Sequence, residues 1–233
     1  MIIMDEIILV DKPKGVTSFG VVARIRRVLS EKVRKEYLNR GETPPKRLKV
    51  GHTGTLDPFA TGLLIILVGK ATKKCSEYLK LDKEYEAEVK LGEISTTGDP
   101  EGEIKKCYDG EPISREVVDE VVAGFVGEIE QEVPVFSAVK IDGQRAYKLA
   151  RKGIEVEMPR RRVKVFRIDI LEYEWPILKI RTRVSSGTYV RTLGEDIGKK
   201  IGTGAYLTEL RRVKIGDFSV SSAKKLEDFG VFD

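Results

Sequence analysis

The longest uninterrupted apolar run in this chain has six residues, Leu63 to Val68. A run of this length bounded by turn residues is typical of a buried strand, and it is far shorter than the roughly 20 residues that a membrane-spanning helix requires. The chain has 233 residues, of which 41% are apolar. It can therefore bury one substantial core, and these values predict an ordinary globular protein with one or two domains.

Strand-like and helix-like segments alternate irregularly along the chain. Apolar spacing predicts strands over residues 6–10, 63–68, 85–91, 163–170 and 177–184, an extended stretch over 206–220, and loops over 39–49 and 94–103. It predicts helices over 71–80 and 188–201, an amphipathic helix capped by Ser18, and a second amphipathic helix that begins at Ser114 and has Val117, Val118, Val121 and Phe125 on one side. No regular βαβ repeat is present, so the fold class predicted is α+β, with a mixed, mostly antiparallel sheet and flanking helices.

The net charge of +5 is unevenly distributed. Residues 140–164 carry nine lysines and arginines against three acids, and residues 32–49 carry seven against two. The rest of the chain is therefore acidic. Two basic segments on an acidic protein indicate a surface for a polyanion, although charge alone is equally consistent with two solvated faces.

Cysteine content and the first residues of the chain bear on its compartment. Cys75 and Cys107 are far apart and form no Cys-x-x-Cys pair, so neither a disulfide nor a metal site is indicated. Residues 1–6 contain two acids and no basic residue, so no secretory signal is expected. We therefore predict a cytoplasmic protein without a membrane segment.

The segment Gly51–Gly62 reads GHTGTLDPFATG and places one carboxylate, Asp57, among residues that form tight turns. Loops of this composition lie on the surface and often present a functional side chain from a rigid frame. Pro58 disfavours helical dihedrals at Asp57. An Asp-Pro pair is also typical of a turn in which the carboxylate caps nearby amides, so both interpretations stay open on composition alone.

The same segment resembles the catalytic loop of the TruB-type tRNA pseudouridine synthases, whose pattern is GHTGxLDPxATG. Further motifs of that family follow in the family's order at Leu9–Ser18, Lys83–Tyr85, Val133–Lys140, Gly187–Thr192 and Leu210–Arg212. Several motifs in the right order are far more specific than any one of them. The resemblance implies the pseudouridine-synthase fold, with a central mixed sheet, a cleft across the sheet and an inserted RNA-gripping segment.

The resemblance also implies an isomerase that converts uridine to pseudouridine at position 55 in the T-loop of tRNA, after base flipping and without a cofactor or metal. Asp57 would be the nucleophile, because a carboxylate can form a covalent adduct; attack at C1′, attack at C6 and glycal formation remain alternatives. Arg191 would keep Asp57 ionised, because a neighbouring guanidinium lowers the pKa of a carboxyl. Tyr85 would stack on the uracil, and its hydroxyl would assist removal of the C5 proton.

Other residues receive a substrate-binding role by the same resemblance. His52 would fill the gap left by the flipped uridine, or else it orients the Asp57 loop. Tyr189 and Leu210 would complete an apolar wall around the base. The RNA itself would be held by Lys140, Arg145, Tyr147, Arg151, Arg211 and Arg212, whereas Lys12, Pro13 and Gly15 would brace the catalytic loop.

The chain departs from the family pattern in three places. It is predicted to be a single catalytic domain over residues 1–233, with a basic RNA-binding insertion at about 133–162 and no room for a C-terminal PUA-like domain. Residues 31–49 form a longer and more basic connection than the bacterial pattern has. Thr96 replaces an aspartate found in the related stretch.

The function predicted is tRNA modification by a monomer that binds the T-arm. Three alternatives to it remain. The chain could modify another RNA stem-loop, or it could be a non-catalytic RNA-binding module. The set Asp57, Tyr85 and Arg191 argues against the module, because phosphate binding needs no such carboxylate. His52 is the single histidine of the sequence, so a small-molecule hydrolase would have no other histidine base. For the same reason, a metal cluster or a Ser-His-Asp triad is poorly supplied with ligands or bases.

The amide content predicts a heat-adapted source. The chain has one asparagine and two glutamines, whereas 34% of its residues are charged. Amides are thermolabile, and networks of ion pairs gain relative value at high temperature.

Overall fold

The computed structural model describes residues 5–137, 139–141, 143–150, 153–154 and 156–230. The chain divides into two compact units. Unit 1 comprises residues 1–84 and 211–233, and unit 2 comprises residues 85–210. The organisation as a single catalytic domain stays a prediction.

The described residues form helices of very different lengths. The α-helices are α1 (Ser18–Asn39), α2 (Cys75–Leu79), α3 (Arg115–Ala123), α4 (Ala146–Ala150) and α5 (Val190–Ile201). Short 3₁₀ segments occur at Lys70–Lys74, Val220–Ser222 and Glu227–Phe229. Among the described residues, no helix combines the length and the apolar composition needed to cross a membrane.

The strands, in chain order, extend from the N-terminal region to the last described residues. The first seven are β1 (Asp5–Lys12), β2 (Val50–His52), β3 (Thr61–Gly69), β4 (Lys83–Leu91), β5 (Glu93–Ser95), β6 (Ile104–Lys106) and β7 (Gly127–Glu132). They are followed by β8 (Lys140–Ile141), β9 (Gln144–Arg145), β10 (Arg160–Glu174), β11 (Ile177–Val184), β12 (Ala205–Ile215), β13 (Phe218–Ser219) and β14 (Lys224–Lys225).

Unit 1 is organised around β3, which contains the long apolar run. Its strands lie in the order β14-β1-β3-β12; β1 is antiparallel to β3, whereas β14 is parallel to β1 and β12 is parallel to β3. Helix α1 packs its buried Val22 and Ile25 against one face of the sheet, where Leu64 and Ile66 lie. The opposite face buries the alternate residues of the run, Leu63, Ile65 and Leu67. Both faces of β3 are covered, which explains why its sequence is continuously apolar rather than alternating.

Unit 2 contains the antiparallel strands β10 and β11, with β7 antiparallel to β10 on the far side. Strand β4 alternates buried and half-buried residues, as a strand with one covered face does. Two small hairpins, β5–β6 and β8–β9, lie apart from this sheet. Strands and helices thus form a mixed sheet with flanking helices, and the α+β prediction is confirmed.

Several local predictions need correction. The N-cap of α1 is Thr17, whose side chain accepts a hydrogen bond from the Gly20 amide, and Ser18 has a different role described below. Helix α3 buries Val118 and Val122, whereas Val117 is exposed. The helix expected over 71–80 is a 3₁₀ segment followed by the short α2. The turn-rich stretch 94–103 includes the end of β5 and the connection from β5 to β6 in their hairpin. Strand β7 was not predicted.

Candidate active site

The predicted site residues are distributed over both units. Unit 1 contains His52, Asp57, Arg211 and Arg212, and unit 2 contains Tyr85, Tyr189, Arg191, Leu210 and the residues of the insertion. The expected pairing of Arg191 with Asp57 stays a prediction.

Asp57 is half-buried on the loop that joins β2 to β3, and the residue after it is held by the first motif. The carbonyl of Pro58 accepts hydrogen bonds from the Gly15 amide at 2.8 Å and from Lys12 Nζ at 3.3 Å. Lys12 is 0% exposed, and its Nζ also donates to the Val16 carbonyl at 2.7 Å. Its ammonium therefore joins the turn after β1 to the Asp57 loop, which supports the predicted bracing role.

The residue before Asp57 is held equally firmly. The Leu56 amide donates to Ser18 Oγ at 2.8 Å, and the same hydroxyl donates to the Leu56 carbonyl at 2.8 Å. Both groups are buried. Ser18 thus satisfies both backbone polar groups of Leu56, and Asp57 lies between two anchored neighbours.

Arg212 lies inside the protein. Its side chain is 1% exposed, and its guanidinium donates to three backbone carbonyls, those of Leu63 at 2.8 Å, Gly54 at 3.1 Å and Thr55 at 3.5 Å. This placement argues against the direct RNA contact that the sequence analysis predicts for Arg212. The residue instead holds the first half of the Asp57 loop against β3.

Gly62, at the end of that loop, permits the close approach of β3 to β12. It has φ +101°, and a Cβ at this position would overlap the backbone of Arg212. A side chain is therefore excluded both by the space and by the backbone conformation. Glycine is required here for the register Gly62↔Arg212.

His52 has a buried Nδ1 that lacks a hydrogen-bond partner among the described residues. Burial lowers the pKa of His52, and the positive charge of Arg212 lowers it further. The imidazole is accordingly neutral at neutral pH. A neutral, half-buried ring is compatible both with stacking and with orientation of the loop, and the two interpretations of His52 stay open.

Lys83 has an unusual environment that the sequence analysis did not recognise, although it quoted the Lys83–Tyr85 motif. Its Nζ donates to the carbonyls of Leu79 at 2.6 Å and Leu81 at 2.5 Å. The pKa of Lys83 is lowered to about 8, mainly by burial and also by the positive charge of Arg212, while Asp82 opposes the shift. A lysine that is this close to losing its proton near neutral pH is a candidate functional group.

Arg211 is half-buried and paired with an acid. Its guanidinium contacts both carboxylate oxygens of Asp11, at 2.7 and 3.1 Å, and approaches Thr61 Oγ1 at 3.4 Å. The bidentate geometry orients the guanidinium strongly. The predicted RNA contact of Arg211 stays a prediction.

In unit 2, Arg191 is 4% exposed in the first turn of α5. It donates to the carbonyls of Thr97 at 2.6 Å and Phe136 at 2.8 Å, and it forms an ion pair with Asp99 Oδ2 at 3.2 Å. Asp99 also accepts from Thr97 Oγ1 at 2.6 Å. Asp99 is not among the site residues predicted from the sequence; its one signal was its place at the end of the turn Ser95–Asp99.

Glu195 lies one turn after Arg191 on α5 and belongs to the same cluster. Burial raises the pKa of Glu195 to about 7; Arg191 opposes the shift, whereas Asp196 and Asp99 reinforce it. Its carboxylate lies over Gly98, where a Cβ would meet Oε1 at 2.8 Å. Glu195 therefore keeps its proton up to about pH 7, whereas an exposed glutamate loses it near pH 4.5.

The three residues assigned to the base pocket are apolar or aromatic and largely covered. Tyr85 and Leu210 are buried, and Tyr189 is half-buried. Tyr189 packs against the cluster of Val133, Ala146 and Met158, while its amide donates to Gln131 Oε1 at 3.1 Å. Their contact with a uracil stays a prediction.

The insertion is described in part. Lys140 and Arg145 are exposed and lie opposite each other in the β8–β9 hairpin. Tyr147 is half-buried on α4, and its amide donates to the Ser137 carbonyl at 3.2 Å. Arg151 lies outside the described residues. Among the described residues, no group of His, Cys, Asp and Glu side chains could hold a metal ion.

Known structures resemble this fold over nearly its whole length. The crystal structure of a Cbf5-Nop10-Gar1 complex superposes with a TM-score of 0.69 at 32% identity and covers 95% of this chain. An H/ACA RNP bound to a substrate RNA containing 2′-deoxyuridine superposes with a TM-score of 0.67 at 29% identity and covers 97%. The chain spans about half of each of those chains, 52% in both cases. The fold is that of the pseudouridine synthases.

Sequence comparison narrows this class. The model described as TruB family pseudouridylate synthase (N terminal domain) matches residues 42–190, and the model for the tRNA pseudouridylate synthase B C-terminal domain matches residues 191–231. A protein of Parabacteroides distasonis named tRNA pseudouridine synthase B is 44% identical over 230 residues, which are 97% of this chain and 94% of that protein. The chain belongs to the TruB family of pseudouridylate synthases.

Proposed function

We propose that this protein isomerises uridine to pseudouridine in tRNA, at position 55 of the T-loop. The observation that carries the proposal is the anchoring of the backbone around Asp57: Ser18 holds the preceding residue and Lys12 holds the following one, so the backbone that bears the carboxylate is fixed. Such pre-organisation is what a nucleophile requires. The Parabacteroides relative, which is named for this class of reaction, supports the proposal.

The reaction rearranges bonds within one nucleotide. The bond between uracil N1 and ribose C1′ breaks, the bond between C5 and C1′ forms, C5 loses a proton, and N1 gains one. No oxidant, reductant or energy source is needed. Asp57 forms the covalent adduct with the target nucleotide, Arg191 stabilises its ionised form, and Tyr85 stacks on the flipped uracil.

The substrate surface follows from the distribution of charge. Lys140 and Arg145 are exposed in their hairpin and would contact phosphates of the T-arm. Phosphate contacts position an RNA without reading its sequence, so the folded T-arm would be recognised mainly by shape. The protein would act as a monomer in the cytoplasm, where tRNA is found.

Release of tritium from tRNA labelled at uridine C5 tests the proposal. The wild-type protein should release one equivalent from the T-loop position, and Asp57→Asn should lose activity on the order of 10³-fold or more, as removal of a nucleophile does. Asp217→Asn is the matched control, because Asp217 is an exposed carboxylate of the same unit. Its activity should equal that of the wild type.

Each other outcome points to a different function. Activity of Asp57→Asn near the wild-type rate would refute the assignment of the nucleophile. Tight, salt-sensitive tRNA binding without release would indicate the non-catalytic RNA-binding module. Release from another uridine, or from a ribosomal stem-loop in preference to tRNA, would indicate a synthase for another RNA.

We also infer a heat-adapted source from the scarcity of amides and the 34% of charged residues. The melting midpoint should lie above the range of roughly 45–65 °C in which domains from mesophiles cluster. Differential scanning calorimetry measures it. A midpoint near 50 °C would contradict this inference.

A further inference from the structure

A cavity of about 850 Å³ lies in unit 1 beside the turn that follows β1. Five cationic side chains and two carboxylates line it, so its lining has a net positive charge. Pro13, Val16 and Leu226 supply an apolar part of the wall. Ligand cavities have volumes of roughly 300–1,000 Å³, so this cavity is large enough for a group the size of a nucleotide.

Three of the five cations are engaged within the protein. Arg211 pairs with Asp11 at 2.7 Å, Lys225 pairs with Glu227 at 3.5 Å, and Lys12 donates to backbone carbonyls. These contacts account for both carboxylates of the lining. The positive charge that remains comes from other residues.

Lys14 and Arg24 are the remaining cations. Neither has a hydrogen bond or an ion pair among the described residues. Lys14 is exposed on the turn, and Arg24 is half-buried on α1, so two independent elements direct a cation to the same cavity. A half-buried guanidinium that lacks an acid partner is available to an anionic ligand.

The wall of this cavity is continuous with the supports of the Asp57 loop. Lys12 lines the cavity and donates to the Pro58 carbonyl. Thr61 lines it as well, and it follows Asp57 by four residues and contacts Arg211. A ligand in the cavity therefore lies against the same backbone that positions the nucleophile.

We propose that this cavity binds a phosphodiester of the substrate RNA, with Lys14 and Arg24 as its two ligands and the apolar wall against the adjoining sugar or base. The proposal rests on the proposed function, because it takes the RNA substrate as the source of the phosphate. A free nucleotide has the same phosphate chemistry and is the competing source. Since phosphate contacts position a strand without reading it, this subsite orients the RNA beside the catalytic loop for any sequence.

The test is binding of an unmodified tRNA transcript, measured by fluorescence anisotropy as a function of salt. The double substitution Lys14→Gln and Arg24→Gln is made in the Asp57→Asn protein, so that no turnover occurs. Loss of this one phosphate contact should reduce the slope of log K against log salt by about 0.8, which corresponds to roughly sixfold weaker binding at 0.1 M salt. The matched control is Lys199→Gln with Lys200→Gln, which removes the same charge from the exposed end of α5.

A folding defect is separated from loss of ligands by a second variant. Lys14→Arg with Arg24→Lys keeps both charges and should bind within about threefold of the parent, as charge-conserving changes at phosphate contacts do when the geometry is not bidentate. Circular dichroism and thermal melting check that all the variants fold. Weak binding by the charge-conserving variant with a normal melting curve would overturn the assignment of simple phosphate ligands.

The other outcomes are equally decisive. An unchanged salt slope in the double glutamine variant, or an equal loss in the control, overturns the proposal. Uridine 5′-monophosphate that binds the parent but not the double variant, together with unchanged RNA binding, identifies a free-nucleotide site instead. If the wild type forms no pseudouridine but the slope falls as expected, the subsite stands and the proposed function fails.

Discussion

The two units each bury an arginine, and they neutralise it in different ways. Arg212 in unit 1 donates to three backbone carbonyls, and no ion pair of its guanidinium occurs among the described residues. Arg191 in unit 2 donates to two carbonyls and is also paired with the carboxylate of Asp99. Carbonyl oxygens satisfy hydrogen bonds but carry no net charge, so the field of Arg212 is left uncompensated.

The pKa values of the neighbouring titratable groups reflect this difference. The charge of Arg212 contributes to the lowered pKa of both His52 and Lys83 in unit 1. In unit 2 the pKa of Glu195 is raised despite the neighbouring Arg191, because burial and the carboxylates of Asp196 and Asp99 outweigh the guanidinium. Unit 1 therefore presents a positive field next to the Asp57 loop, where a polyanionic substrate would be received.

The largest expected effect separates the two arginines. Arg191→Met leaves Asp99 buried with no guanidinium beside it and should destabilise the protein by about 3–5 kcal/mol, as breaking a buried ion pair does. Adding Asp99→Asn should recover part of that loss. Arg212→Met leaves three neutral carbonyls without this donor, of which only that of Leu63 belongs to a buried residue, so it should cost less, about 1–3 kcal/mol.

Urea denaturation of the wild type, Arg191→Met, Asp99→Asn and the double variant measures the coupling in a double-mutant cycle. Arg212→Met is measured in the same way. Equal destabilisation by Arg191→Met and Arg212→Met would remove the distinction between the two units. The same conclusion would follow if Asp99→Asn failed to rescue Arg191→Met.

A smaller effect is expected from Gly62→Ala, which tests whether the position of Arg212 depends on the close approach of its backbone to Gly62. The new methyl group would overlap the Arg212 backbone and force a positive φ on alanine, at a cost of about 3 kcal/mol. Gly41→Ala is the control, because Gly41 has φ +70° but open space around it, and it should cost about 1 kcal/mol. Thermal melting of both variants measures the difference, and equal melting midpoints would contradict it.

The smallest effect concerns Glu195 and depends on pH. Because the folded-state pKa of about 7 lies above the ordinary value of 4.5, the folded protein retains a proton that the unfolded chain releases. This group therefore contributes stability below pH 4.5 that is lost as the pH rises through 7. Glu195→Gln keeps a neutral side chain of similar shape and should remove that loss.

The free energy of unfolding of Glu195→Gln, relative to that of the wild type, should increase by on the order of 1–3 kcal/mol when the pH is raised from 4.5 to 8. Urea denaturation at both pH values measures the gain. Glu128→Gln is the control, because Glu128 is an exposed glutamate of the same unit and should show no such change. A gain that did not depend on pH would indicate that Glu195 is ionised in the folded protein.

The parts of this structure that the sequence predicted are local. The apolar run of β3 and the turn residues of the Asp57 loop are contiguous patterns, and the order of short motifs identified the family. The face of α3 was placed wrongly, because Val117 and Val118 both fit a helical repeat and only the packing in unit 2 decides that Val118 is buried.

The contacts that were missed join distant parts of the chain. Arg212 donates to carbonyls about 150 residues earlier, and Arg191 reaches Thr97, 94 residues away. No local pattern distinguishes a buried arginine from an exposed one in a basic motif. Asp99 and Lys83 were overlooked for the same reason, since their environments arise only when remote backbone surrounds them.

The double hydrogen bond between Ser18 and Leu56 has a consequence for hydrogen exchange. Amides in a surface loop ordinarily exchange rapidly, because the loop opens without disturbing its surroundings. The Leu56 and Gly15 amides are instead bonded to Ser18 and to the Pro58 carbonyl, and the loop is further attached to the buried Lys12 and Arg212. These two amides should exchange as slowly as those of β3, because the segment that carries Asp57 opens only when the core of unit 1 unfolds.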